Sequence, residues 1–169
     1  CINSEDIIYL PPISVDDTII RLYDKGLKVL PEIIEHCSEL EFLDCSRNQL
    51  TELDNLPQNI RHLLCYENFI TSLNNLPQGL KTLDCRSNNI TQLDYLPPNL
   101  EYLDCVNNNL NHIGEIPAHL LYLNCSFNLL TELNNMTNNS VINFIDCSYN
   151  EMTSLDTLPD SVEILICHN

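Results

Sequence analysis

Cysteine returns along this chain as Cys45, Cys65, Cys85, Cys105, Cys125, Cys147 and Cys167, with spacings of 20, 20, 20, 20, 22 and 20 residues. The same frame surrounds each one. One copy reads Leu40-x-x-Leu43-x-Cys45-x-x-Asn48-x-Leu50-Thr51-x-Leu53-x-x-Leu56-Pro57. The next runs from Ile60 through Leu63, Cys65, Asn68, Ile70, Thr71, Leu73 and Leu76 to Pro77. A fixed period of this length means one supersecondary unit repeated in tandem, and it excludes a single globular core wound in another way. Six full copies and a truncated seventh fill residues 40–169. Residues 1–39 form an N-terminal segment in which Ile19, Leu22, Leu27 and Leu30 spell a shortened first repeat or cap. Terminal copies of such arrays are atypical because only one side of them is covered. Glu32, Ile33, Ile34 and Glu35 suit a single helical turn there.

The frame L-x-x-L-x-L-x-x-N-x-L, with Cys in the third apolar slot, is that of a leucine-rich repeat. The stretch x-L-x-C-x alternates in the period of a short strand. Stacked copies predict a curved right-handed superhelical solenoid with a parallel β-sheet on its concave face. One copy cannot bury its own apolar face, so neighbours do it. Asn48, Asn68, Asn88, Asn108, Asn128 and Asn150 follow the strands. An amide both donates and accepts, so these six form a structural ladder that satisfies the turn backbones. The return segment, as in Thr51–Pro57, is too short for a helix of several turns. Pro57, Pro77, Pro97, Pro117 and Pro159 favour an extended, helix-poor convex side.

The stretch 40–169 resembles the LPX class of leucine-rich repeats, through L-P-x-x-L-x-x-L-x-C-x-x-N-x-L-T-x-L. Bacterial type III effectors carry repeats of this kind, some of them joined to a ubiquitin-ligase domain. The cysteine-bearing, Asn-rich form, as in Leu100-Glu101-Tyr102-Leu103-Asp104-Cys105, is also similar to repeat proteins of amoeba-infecting giant viruses. The resemblance implies a protein-binding module, with any chemistry elsewhere in the chain. No residue here matches a ligase active-site motif.

The periodic cysteines occupy an inward slot, where Cys acts as a small hydrophobe. Adjacent strands stand about 4.8 Å apart, more than the usual Cβ separation of a disulfide, about 3.5–4.5 Å. Zinc-ligand spacing is absent, and a reduced core ladder suits the cytoplasm, of a host cell if the effector resemblance holds. Cys1 and Cys37 stand outside the ladder. The chain opens without Met, as a processed or trimmed piece does. An open last strand calls for further repeats or a cap beyond Asn169. The copy between Cys125 and Cys147 is two residues longer, which predicts a small convex bulge around Met136-Thr137-Asn138-Asn139-Ser140. Three Asn-x-Ser/Thr triplets, at Asn89, Asn135 and Asn138, are what so Asn-rich a chain produces by accident.

Charge narrows the function classes. Asp and Glu number 24 against 7 Lys and Arg, for a formal net charge of -17. Phosphate binding needs cations, so nucleic acid is excluded as a partner. No apolar run of 18 residues crosses a membrane. Motifs for dinucleotides, nucleoside triphosphates, zinc proteolysis and acyl transfer are missing, so no cofactor is called for. His112 and His119, with Glu115 between them, have neither metal nor triad spacing. His62 has Asp44 and Asp84 on flanking strands, which offers a His–Asp contact of the surface kind. The segment reads as non-catalytic.

The outward strand slots are then the candidate site. One row carries Phe42, His62, Thr82, Tyr102, Tyr122, Phe144 and Ile164. The next carries Asp44, Leu64, Asp84, Asp104, Asn124, Asp146 and Ile166. Aromatics are frequent hot spots and carboxylates steer basic partners. Phe42, His62, Tyr102, Tyr122 and Phe144 are the expected contacts, with Asp84, Asp104 and Asp146 steering. All Lys and Arg precede residue 87, and ten acids follow it. That polarity points to a basic protein or peptide at the C-terminal half. The same residues also suit a solvated, self-packed strand face. Stacked Asp84 and Asp104 should repel and raise a pKa, yet two carboxylates fall short of a calcium shell, so no metal is expected. The remaining alternatives are a substrate-targeting arm of a larger enzyme, such as a ubiquitin ligase, and a structural or virion spacer.

Overall fold

The computed structural model describes residues 10–133, 136, 141–155 and 158–168. The expected bulge at 137–140, the Asn135 and Asn138 triplets and Cys1 lie outside the described residues.

Eight strands run in parallel in one sheet, in the order β1 (Ile19–Arg21), β2 (Phe42–Asp44), β3 (His62–Leu64), β4 (Thr82–Asp84), β6 (Tyr102–Asp104), β8 (Tyr122–Asn124), β9 (Phe144–Asp146) and β10 (Ile164–Ile166). Each residue pairs with its equivalent one copy away, as Leu43 with Leu63 and Leu63 with Leu83. The register follows from the period. A slip of one residue would turn every inward Leu to solvent. The shortened copy in the N-terminal segment supplies β1, which pairs Ile19–Arg21 with Phe42–Asp44. A single 3₁₀ turn over Glu32–His36 is the one helical element among the described residues.

The core is a set of columns. Leu43, Leu63, Leu83, Leu103, Leu123 and Ile145 are fully enclosed, and so are Cys45, Cys65, Cys85, Cys105 and Cys125. Cys is small enough to let the turn that follows close tightly, and it leaves no polar group in need of a strong partner. The described cysteines carry no disulfide. Burial raises the thiols of Cys65, Cys85, Cys105 and Cys125 well above the ordinary range, because thiolate would lose its hydration.

After each Cys the chain turns sharply. Arg47, Glu67, Ser87, Asn107, Phe127 and Tyr149 take φ between 51° and 55°. Side-chain-bearing residues in this left-handed region cost about 1–2 kcal/mol each. The asparagine that follows offsets this. Asn68 Oδ1 accepts from Leu50 N–H at 3.0 Å, and its Nδ2 donates to the carbonyls of Cys45, Cys65 and Tyr66 at 3.1, 3.0 and 3.3 Å. Asn88, Asn108, Asn128 and Asn150 repeat the pattern, and Asn48 ties Lys25 and Leu27 in the same manner.

On the convex side each Leu-Pro pair, and Ile116-Pro117, opens a turn. The carbonyls of Pro57, Pro77, Pro97 and Pro117 accept from the N–H three residues on at 3.0–3.3 Å. A second, two-stranded sheet lies here, β5 (Gln92–Leu93) with β7 (His112–Ile113). Gly114 follows β7, and a Cβ on it would run into the backbone carbonyl of Asp94. Other copies place Asp54, Asn74 and Asp94 at this point of the frame.

Candidate functional site

Three-residue strands present two outward side chains each, and stacking turns these into continuous rows. In the first row Tyr102, Tyr122 and Phe144 lie flat on one another, with centroids 4.4 and 4.5 Å apart and ring planes within 6° and 4°. The spacing is near the strand separation, so the parallel register itself imposes the stack. The row breaks at Thr82. Beyond it His62 and Phe42 are 6.3 Å apart and tilted by 38°. His62 Nδ1 lies 3.0 Å from Thr82 Oγ1, not against a carboxylate. Thr82 is directly opposite in register, whereas Asp44 and Asp84 are two residues along.

The acidic row is less exposed than a solvated stripe. Asp84 is 7% exposed and Asp104 4%, while Asp44 and Asp146 are half-buried. The slot after Cys explains the difference. In three copies it holds Ser, whose hydroxyl and N–H both donate to the preceding acid or amide. Ser46 Oγ donates to Asp44 Oδ1 at 2.7 Å, Ser126 Oγ to Asn124 Oδ1 at 2.8 Å, and Ser148 Oγ to Asp146 Oδ1 at 2.6 Å. Arg86 and Val106 replace that Ser in the two middle copies. There the backbone bonds are long, Arg86 N–H to Asp84 at 3.4 Å and Val106 N–H to Asp104 at 3.3 Å, and the Tyr102 hydroxyl adds a bond to Asp104. The Arg86 guanidinium reaches over both, with Nη2 3.4 Å from Asp84 Oδ2 and Nη1 3.6 Å from Asp104 Oδ2.

Burial pushes the Asp84 carboxyl up to about 6, with Arg86 pulling it down and Asp104 pushing it further up. Asp104 is raised as well, again by burial first. Repulsion between the two acids is thus a smaller cause than desolvation.

A second aromatic rank runs along the rim of the face. Phe127 and Tyr149 stack at 4.2 Å, and His168 meets Tyr149 edge-on at 5.2 Å. Sequence reasoning missed the Phe127–Tyr149 pair, because both residues stand at the left-handed turn position, outside the strand alternation. The signal that finds the pair is the frame itself, two residues after Cys, whereas His168 directly follows Cys167. The double reach of Arg86 was missed too, and the absence of Ser in its copy is the signal there.

Phe42, His62, Tyr102, Tyr122, Phe144, Asp84, Asp104 and Asp146 all stand on the one sheet face. Among the described residues no group of three or more His, Cys, Asp or Glu is placed to hold a metal ion, and no helix is long and apolar enough to cross a membrane. On the convex side His112 Nε2 is 3.7 Å from Asp94 Oδ1, and His119 lines a groove with Asp94, Tyr95 and Glu115.

No family model and no curated protein matches the sequence. Solved structures do. YopM from Yersinia enterocolitica WA-314 is 32% identical, with a TM-score of 0.86 over 95% of this chain and 35% of its own. YopM of Yersinia pestis, a leucine-rich effector protein, is 28% identical, with a TM-score of 0.79 over 95% of this chain and 50% of its own. The functional domain of InlJ from Listeria monocytogenes, which includes a cysteine ladder, shares 23% identity and a TM-score of 0.60 over 91% of this chain and 44% of its own, a likeness of fold alone. The chain spans half or less of the length of these structures. Proteins built this way are generally protein-interaction modules. Period, parallel register, buried cysteines and these likenesses agree that the chain is a leucine-rich-repeat protein whose repeats are like those of bacterial effectors.

Proposed function

We propose that this chain is a non-catalytic binding module that takes a basic protein or peptide on its concave face, in the cytoplasm of a host cell. The observation that carries this is the pairing of the Tyr102–Tyr122–Phe144 stack with Asp104 and Asp146, in the half of the chain that contains no Lys or Arg after Arg86. Stacked rings are already ordered, so a partner that covers them loses little side-chain freedom on this side. Phe42 and His62 extend the contact row, and Asp84 adds to the field. Half-buried Asp146 and the excess of acids in this half of the chain steer a cationic partner over about a Debye length, near 10 Å at 0.1 M salt. Neither nucleic acid nor membrane suits that field. The similarity to effector proteins supports the host-cell setting.

The test uses the native module and a Tyr122→Ser, Phe144→Ser, Asp146→Asn variant as baits in host-cell lysate at low and at high salt. Circular dichroism checks that both keep their fold. The expected result is a basic protein held by the native bait, released by salt and lost from the variant. Identical capture by both baits would remove the concave face from consideration.

A further inference from the structure

The aromatic row is interrupted at one place only between His62 and Phe144, and the interruption is one ring deep. Thr82 sits between His62 and Tyr102 in register. Two strand steps separate the flanking slots by about 9.6 Å, which is room for one planar group at the spacing the neighbouring rings already keep. One face of Tyr102 is covered by Tyr122. Its other face looks across Thr82. His62 leans toward Thr82 through its 3.0 Å hydrogen bond and closes the far wall.

The chain shows in its own N-terminal half what such a face takes. Arg86 Cζ lies 4.7 Å from the centroid of Tyr66, Arg21 Cζ 5.2 Å from Phe42, and Arg47 Cζ 5.5 Å from Tyr23. Each of these rings is capped by a guanidinium from the chain itself. Among the described residues no arginine or lysine lies over Tyr102. The charge beside the gap is also unbalanced, since Asp84 and Asp104 share the single guanidinium of Arg86. A second cation there would complete the count. A guanidinium is flat, stacks on aromatic faces and sheds water more readily than an ammonium, so it fits a one-ring gap better than lysine does.

We propose that the gap over Thr82, between His62 and the open face of Tyr102, takes an arginine side chain of the partner. This rests on the basic-partner reading of the concave face and names the residue that anchors it. The guanidinium stacks on Tyr102 and lies beside the Asp84–Asp104 pair, repeating the arrangement of Arg86 on Tyr66.

The test compares acetylated hexa-arginine and hexa-lysine amides, which carry the same charge. Binding to the native chain is followed by calorimetry at low salt and by the NMR signals of Thr82 and Tyr102. Hexa-arginine should bind about tenfold more tightly than hexa-lysine, the scale of a stacked cation, and should shift both residues. Thr82→Tyr fills the gap with a ring of the kind its neighbours carry, and should bring hexa-arginine down to the level of hexa-lysine. Thr82→Val leaves the gap open and should keep the preference. Equal binding of the two peptides, or a preference untouched by Thr82→Tyr, overturns the arginine site while leaving the basic-partner reading intact. Binding of neither peptide to the native chain overturns both.

Discussion

Asp84 carries its charge into a nearly closed place. Its carboxyl, raised from 3.8 to about 6, is favoured by the fold when protonated. The stability linked to that proton is fully present below about pH 3.8 and is lost as pH rises through about 6. Asp84→Asn keeps an acceptor for the Arg86 N–H and removes the charge, as Asn124 does two copies along. We expect it to stabilise the chain by about 1 kcal/mol at pH 7.5, less than the full shift because the pair with Arg86 also weakens, and to do nothing measurable at pH 4. Urea unfolding at the two pH values checks this, and equal effects at both would contradict the burial of charge. Strand alternation in the sequence placed Asp84 on the outward face correctly. It did not reveal the depth, because depth depends on how far Arg86 leans over the carboxylate, and a period of two says nothing about side-chain reach.

The element that recurs is the strand-end turn, a left-handed residue followed by Asn. Asn88 alone accepts from Ile70 N–H and donates to the carbonyls of Cys65, Cys85 and Arg86. Asn88→Ala strands these groups without water. The expected cost is about 2–4 kcal/mol, read as a lower urea midpoint with circular dichroism as the probe. A loss below about 1 kcal/mol would show that the turns hold without the ladder. The strands, the Asn column and the convex turns were legible because each copy repeats the same residues at the same offset. The sheet of β5 and β7 was not. Two-residue strands carry no hydrophobic period, and only the exchange of an acid or amide for Gly114, where the Asp94 carbonyl comes close, marks the spot.

At the scale of the molecule the cysteines report on how the solenoid opens. Cys167 is exposed, whereas Cys45, Cys65, Cys85, Cys105 and Cys125 are sealed. Iodoacetamide at pH 8, mapped by peptide mass spectrometry, should modify Cys167 at least about a hundredfold faster than Cys85 or Cys105, because a buried thiol reacts only after local opening. Labelling of Cys85 at the rate of Cys167 would contradict the sealed ladder. The array was the most legible level of all, since a tandem period fixes fold by counting. The proposed occupant of its face was not legible, since on that proposal recognition depends on which slots break the pattern, as Thr82 does. That break has a metric consequence. Strands succeed one another about every 4.8 Å, while alternate residues of an extended chain stand about 6.8 Å apart. A peptide laid across the sheet therefore drifts out of step and returns to phase after three strands and four residues, about 14.4 Å against about 13.6 Å. On the proposed reading, a chain with one residue seated beside Thr82 would present the residue four positions along over Phe144, and the sheet would act as a vernier that sets the spacing of the motif.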